Sequence, residues 1–191
     1  MNNKDKIILD LCGGTGAWSR PYKEAGYDVR LITLPNHDVR TYQPPSGVYG
    51  ILAAPPCTHF SLSGAQYWKV KDADGRTYDD ISILTACLML IALVKPTFWA
   101  LENPVGRMGK LLGRPQFTFN PCDFGDPYTK KTCLWLKHLP LLIPTKIMEI
   151  RNKNLTPSGQ NKLGPSEDRW KRRSLTYQGI ADAMASQWGN P

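Results

Sequence analysis

The chain has 191 residues, 41% of them hydrophobic and 21% charged, enough for one well-packed domain and too few for two ordinary ones. Twenty-four Lys and Arg against 16 Asp and Glu leave a formal net charge of +8, which favours polyanionic partners because cationic side chains release counterions from phosphates. Five cysteines without a CxxC pair, no hydrophobic signal sequence and no long apolar span argue against a zinc site, secretion and membrane insertion, and point to a reducing cytosol.

Taken in chain order, the apolar runs predict strands near residues 6–10, 28–33, 48–54, 97–101 and 132–136. Helices are predicted near 17–25, 79–94 and 175–187. This alternation is that of an α/β domain with a doubly wound, mostly parallel sheet. Residues 139–144 read as one more short strand or an extended segment. In the long helix, Ile81, Leu84, Leu88, Ile91 and Leu93 form the core stripe, and Pro96 stops it. Two stretches read as working loops. Residues 61–80, with Gly64, Lys69, Lys71, Gly75 and Arg76, come soon after Cys57 and suit a lid. Residues 151–173, with Trp170 among Lys171, Arg172 and Arg173, suit phosphate contact with one stacking aromatic.

Three places carry chemistry. After the first strand, Asp10 and Leu11 lead into the turn Cys12, Gly13, Gly14, Thr15 and Gly16. There glycines let the backbone approach a ligand, and the next helix offers free N–H groups. The spacing departs from the dinucleotide fingerprint, and Thr33 stands where an acid would hold a ribose hydroxyl, so NAD is disfavoured. Asp38, with Val39 after it, is an acceptor suited to an adenine amino group. Cys57 comes after Pro55 and Pro56 at the end of the third strand, and Glu102 precedes Asn103 and Pro104 at the end of the fourth. If those strands are neighbours, a thiol and a carboxyl meet in the crevice at their carboxyl ends. A thiolate can add to an electrophilic ring carbon, and a protonated carboxyl can donate to a ring nitrogen and ease the attack. His59, a lone loop histidine, is read as structural.

Asp10 to Gly16, the run Pro55-Pro-Cys-Thr-His-Phe-Ser61 and Glu102-Asn-Pro104 resemble three signature motifs of the DNA cytosine-5 methyltransferases, in their usual order. Phe124-Gly-Asp-Pro-Tyr-Thr-Lys130 is similar to a fourth, which lays a glutamine and two arginines near the target base. Here Tyr128, Lys130 and Thr132 occupy those places. Residues 174–189 are similar, more loosely, to the family's closing helix. The compact form resembles the small methylases of phages and prophages. Between the fourth motif and the closing helix, where the family inserts a target-recognition domain, only residues 137–173 are available.

The resemblance implies a Rossmann-like fold of the S-adenosylmethionine-dependent type and the methylation of cytosine C5 in DNA through a covalent Cys57 adduct, with Glu102 holding ring N3. It implies cofactor contacts from Asp10, Leu11, Cys12, Gly13, Gly14, Gly16, Asp38, Val39 and Pro55. Target-base or nucleic-acid contacts are expected from Asn103, Lys130, Lys69 and Arg76, with Asn103 also steadying the loop or Glu102. The shortened segment implies a short recognition sequence or a partner protein that supplies one. Three alternatives stay open: an RNA cytosine-5 methyltransferase, a nucleic-acid-binding relative without activity, and a flavin or NAD oxidoreductase.

Overall fold

The computed structural model describes residues 2–150, 152–153, 163–169 and 175–189. The apolar runs become β1 (Ile7–Leu11), β2 (Asp28–Ile32), β3 (Val48–Ala53) and β4 (Phe98–Pro104). Downstream lie β5 (Phe117–Phe119), β6 (Tyr128–Thr129), β7 (Thr132–Lys137) and β8 (Asn152–Lys153). The helices are α1 (Arg20–Glu24), α2 (Trp68–Ala73), α3 (Arg76–Val94), α4 (Met108–Leu112) and α5 (Gln178–Trp188). Six strands form one sheet in the order β2-β1-β3-β4-β7-β5, with β1 to β4 parallel and β7 antiparallel to both its neighbours.

The near-continuous apolar character of the central strands reflects burial on both faces. Alternate side chains separate into two layers. Ile8, Leu52, Ala100 and Leu134 pack with Trp18, Tyr22, Ile180, Met184 and Trp188, which places α1 and α5 on one face. Leu9, Leu11, Ile51, Ala53 and Leu101 pack with Leu84, Cys87, Leu90 and Ile91 of α3 on the other. The doubly wound α/β expectation is met. In α5, Ile180, Ala181, Met184 and Trp188 are all at or below 1% exposure. Each large side chain among them contributes about 1.5–3 kcal/mol. Trp188 also donates its indole N–H to the Pro140 carbonyl at 3.0 Å.

Several boundaries differ from the sequence reading. The first helix begins at Arg20, because residues 13–19 are spent on a turn with positive φ at Gly14 and Gly16. Residues 61–80 are helical: a 3-10 segment Leu62–Tyr67 runs into α2, and Gly75 at φ +83° separates α2 from α3. The expected loop is therefore a folded cover. Residues 139–144 form neither strand nor helix. Leu93, expected in the core, is 71% exposed, and Cys87 and Leu90 take the inward positions. By length and composition α3 is apolar enough to cross a membrane, contrary to the expectation that no such span exists. Its Leu84, Cys87, Leu90 and Ile91 instead cover the sheet.

Candidate functional site

β3 and β4 are paired in parallel, with Ala53 opposite Leu101. Glu102 follows one residue later, still inside β4 and paired with Leu134 of β7, on the strand next to the one that leads into the Cys57 turn. The segments that leave the two strands are stitched together. The Asn103 amide, completely buried, donates to the Pro55 carbonyl at 3.0 Å. Leu62 N–H donates to Val105 O at 3.0 Å, and Arg107 N–H to Phe60 O at 2.8 Å. Arg107 Nε donates to His59 O at 2.7 Å. A Cβ on Gly106 would stand 1.9 Å from Phe60 O, so only glycine allows the two backbones this approach. Within the turn, the Cys57 carbonyl accepts from Phe60 N–H at 3.1 Å and Ser61 N–H at 2.9 Å. The Cys57 turn and the end of β4 are thus joined by backbone and side-chain hydrogen bonds before any ligand arrives.

Burial pushes the Glu102 carboxyl above its ordinary range, while the Lys130 ammonium nearby pulls in the opposite direction. The Cys133 thiol, on the facing strand, is raised by burial and then by Glu102. A carboxyl that keeps its proton to higher pH than usual can donate a hydrogen bond over that range, which an ionised one cannot. Cys57 is half-buried, unlike the fully buried Cys87, Cys122 and Cys133. The arrangement can present a nucleophile and a proton donor to one flat, polar ring.

At the neighbouring tip of β1, Asp10 is fully buried, and burial lifts its carboxyl from 3.8 to about 6 against the opposing effect of Ser19. Ser19 Oγ donates to Asp10 Oδ2 at 2.5 Å, whereas Asp10 Oδ1 finds no partner among the described residues. A Cβ on Gly13 would lie 2.3 Å from that carboxyl group. The glycine is there because the acid folds under the turn. Cys12 adopts φ +60°, a conformation that strains a side-chain-bearing residue and recurs where a turn serves a ligand. Beside the turn lies a cavity of about 370 Å³, whose lining includes Thr15, Gly16, Ser19, Arg20, Lys23 and Leu31. Neither Asp38 nor Val39 lines it.

The remaining candidates divide. Asp38 is held by Arg40, through the backbone N–H at 2.9 Å and through Nε and Nη2 at 2.5–3.0 Å, and these bonds lower its pKa. Leu11 and Val39 are core side chains, so only their backbone can meet a ligand. Pro55 is buried and engaged by Asn103. Asn103 steadies the loop, as expected, through its amide nitrogen, while its buried Oδ1 has no partner among the described residues. Lys130 lies near enough to Glu102 to influence it. Thr132 is buried with its hydroxyl turned back on the Lys130 carbonyl at 2.9 Å, and Tyr128 packs against Tyr177 with ring centres 5.8 Å apart. Lys69 is exposed on α2, and Arg76 is paired with Asp74 at 2.5 Å. Most of the basic stretch 151–173, Trp170 included, lies outside the described residues.

Sequence reasoning missed Ser19, Asp80, Arg107 and Trp68. Arg107 makes a two-pronged ion pair with Asp72 at 2.7 and 2.8 Å and lies 4.9 Å from the centre of the Trp68 ring. Lys71 Nζ donates to the Thr58 carbonyl at 3.1 Å. The cover helix is thereby fastened to the loop behind Cys57. Thr-His-Phe-Ser and Gly-Arg carried no sign of these partners, which lie 13 to 35 residues apart.

No family model matches the chain. A curated relative, the Type II methyltransferase M.DdeI of Desulfomicrobium norvegicum, is 24% identical over 172 residues, covering 68% of this chain and 40% of that protein. A crystal structure described as a DNA modification methyltransferase encoded within an E. coli prophage superposes with a TM-score of 0.50 at 18% identity. That alignment covers 84% of this chain and 56% of the other. The chain resembles DNA methyltransferases. The curated likeness and the shared fold agree with the resemblance stated from residues 10–16, 55–61 and 102–104. The chain spans about two fifths of the curated relative's length and just over half of the structural neighbour's.

Proposed function

We propose that the chain methylates cytosine at C5 in DNA, using S-adenosylmethionine as methyl donor and Cys57 as a covalent nucleophile. The observation that carries this reading is the stitched loop, which holds the Cys57 turn against the strand that presents a pKa-raised Glu102. DNA is favoured over RNA because the structural neighbour is described as a DNA modification methyltransferase and the curated relative as a Type II methyltransferase.

The donor set suits the cofactor. The orphaned Asp10 Oδ1 lies under the glycine turn, where a cationic amino group would satisfy it, and Cys12 to Gly16 offer close backbone approach. Asp38 would take the adenine amino group after exchanging part of its bonding to Arg40. When bound, S-adenosylmethionine supplies a methyl group on a sulfonium, which leaves as a neutral thioether.

The chain's own groups do the rest. The target cytosine leaves the duplex, at a cost of a few kcal/mol of stacking and pairing. The Cys57 thiolate forms a bond to C6, and the proton of Glu102 is shared with N3, so the electron pair freed from the ring double bond accumulates at C5. C5 takes the methyl group and loses its proton to water. The Sγ–C6 bond then breaks, and the ring regains its double bond. Asn103 and Arg107 keep the thiol's backbone in place throughout.

We further assign Lys130 and Lys69 to phosphate or base contact, with residues 137–173 serving as a reduced recognition region. Each bidentate base contact adds only about 1–3 kcal/mol of discrimination, so this region sets a short or loose sequence preference unless a partner protein adds to it. Bisulfite sequencing of DNA from cells expressing the chain tests the activity: new 5-methylcytosine absent from a Cys57→Ser control supports it, and none in either refutes it.

A further inference from the structure

His59 stands two residues past Cys57, inside the turn that the Cys57 carbonyl closes. Its ring Nδ1 lies 2.6 Å from Asp80 Oδ2, and its backbone N–H donates to the same oxygen at 3.2 Å. The two side chains are only 13% and 9% exposed, and Asp80 belongs to α3. One carboxylate oxygen thus fixes both the backbone and the ring of one residue in a poorly solvated place, where such bonds gain strength. The carbonyl of that residue is held from the opposite direction by Arg107 Nε at 2.7 Å. Arg107 is itself held by Asp72 and by Thr77 Oγ1, the latter at 3.0 Å. Lys71 grips the preceding carbonyl. Thr58 and His59 are therefore gripped from α2, from α3 and from the exit of β4.

We infer that His59, held by Asp80, is a positioning residue that sets the place of the Cys57 thiol. Asp80 as acceptor makes Nδ1 the protonated ring nitrogen, as carboxylates do for ring-locked histidines elsewhere. The imidazole ties the loop to the longest helix of the domain. A thiol that must reach a ring carbon in line is sensitive to such ties, since a displacement of about 1 Å can cost 10²-fold in rate. The inference draws on the methyl-transfer reading only for what the positioned thiol does; the tie itself is independent of it.

Two readouts on the full chain separate these layers. The first is alkylation of Cys57 by iodoacetamide, quantified by peptide mapping. The second is the single-turnover rate of adduct formation on DNA bearing 5-fluorocytosine, at saturating S-adenosylmethionine. His59→Ala should speed alkylation by about 5- to 30-fold, as the loss of one or two buried hydrogen bonds implies. It should slow adduct formation by about 10²-fold, with cofactor and DNA affinity close to those of the parent at temperatures where the variant is folded. His59→Asn, whose amide can still donate to Asp80, should restore most of both. If His59→Ala does not fold, Asp80→Asn should move both readouts in the same directions by less. Unchanged readouts would overturn the inference. So would a slowed adduct that merely tracks lost ligand affinity or that His59→Asn does not rescue. If the parent forms no adduct while His59→Ala still exposes Cys57, the methyl-transfer reading falls and the tie stands.

Discussion

The two halves of the sheet's carboxyl edge are built differently. At β3 and β4 most polar groups are committed to one another across the crevice: Asn103 to Pro55, Arg107 to His59 and Phe60, Leu62 to Val105, with Asn103 Oδ1 left without a partner among the described residues. At β1 and β2 they are committed locally, with Asp10 on Ser19 and Asp38 on Arg40, and one buried Asp10 oxygen is left without a partner among the described residues. The first half is arranged for chemistry in advance, which is where electrostatic preorganisation has most effect. The second half must exchange bonds when a ligand binds. Substitutions in the first should therefore change rates, and substitutions in the second should change affinity and stability.

The largest effect is expected at Glu102. Glu102→Gln should lower the rate of methyl transfer by about 10²- to 10⁴-fold, the usual contribution of a positioned acid, with cofactor binding unchanged in calorimetry. Because burial raises the Glu102 pKa, its proton is present at low pH and is lost as pH climbs past that raised value. The parent's rate should accordingly fall on the alkaline side, and the residual rate of Glu102→Gln should not. An alkaline limb retained in the variant would assign it to another group.

Next comes the backbone seam. Gly106→Ala puts a methyl group where Phe60 O stands, so the two segments must part. We expect a rate loss of about 10²-fold at near-normal cofactor affinity. A variant that binds poorly but turns over normally when saturated would erase the distinction between the halves.

Asp10 tests the other half through stability. Its folded pKa of about 6 lies above the ordinary 3.8, so the stability it contributes is complete below pH 3.8 and is lost as pH rises through 6. Asp10→Asn should match the parent near pH 4 and gain on it by about 2–3 kcal/mol by pH 7, as read by denaturant unfolding across that range. A constant difference with pH would show that the carboxyl is not ionising in the fold.

The smallest effects concern Asp38. Asp38→Ala should weaken S-adenosylmethionine binding by about 5- to 100-fold, and Arg40→Ala should tighten it slightly by freeing the carboxylate. Unchanged affinity in Asp38→Ala would move the adenine site elsewhere.

The strands, and the adjacency of the two that lead to Cys57 and carry Glu102, were legible in the sequence because hydrophobic runs buried on both faces mark parallel strands. The cover over 62–73 was not legible: its helix is short, and its stability comes from Arg107 and Lys71 contacts rather than from an apolar period. Asn103 was legible as a loop brace, but not its complete burial, because polarity alone does not reveal burial and the carbonyl it binds lies 48 residues away. His59 looked alone for the same reason, with Asp80 lying 21 residues downstream. Asp126 was read with the base-contact motif, yet its carboxylate accepts from Gly179 N–H at 3.1 Å and so anchors α5.

The central claim is a covalent bond between Cys57 and the target base, and trapping tests it most directly. DNA carrying 5-fluorocytosine, incubated with the chain and S-adenosylmethionine, should yield a denaturation-resistant complex, because fluorine cannot leave C5 as a proton does. Peptide mapping should place the link on Cys57, and Cys57→Ser should abolish it while Cys12→Ser retains it. No complex with any cytosine-containing duplex, or a link that survives in Cys57→Ser, would contradict the account.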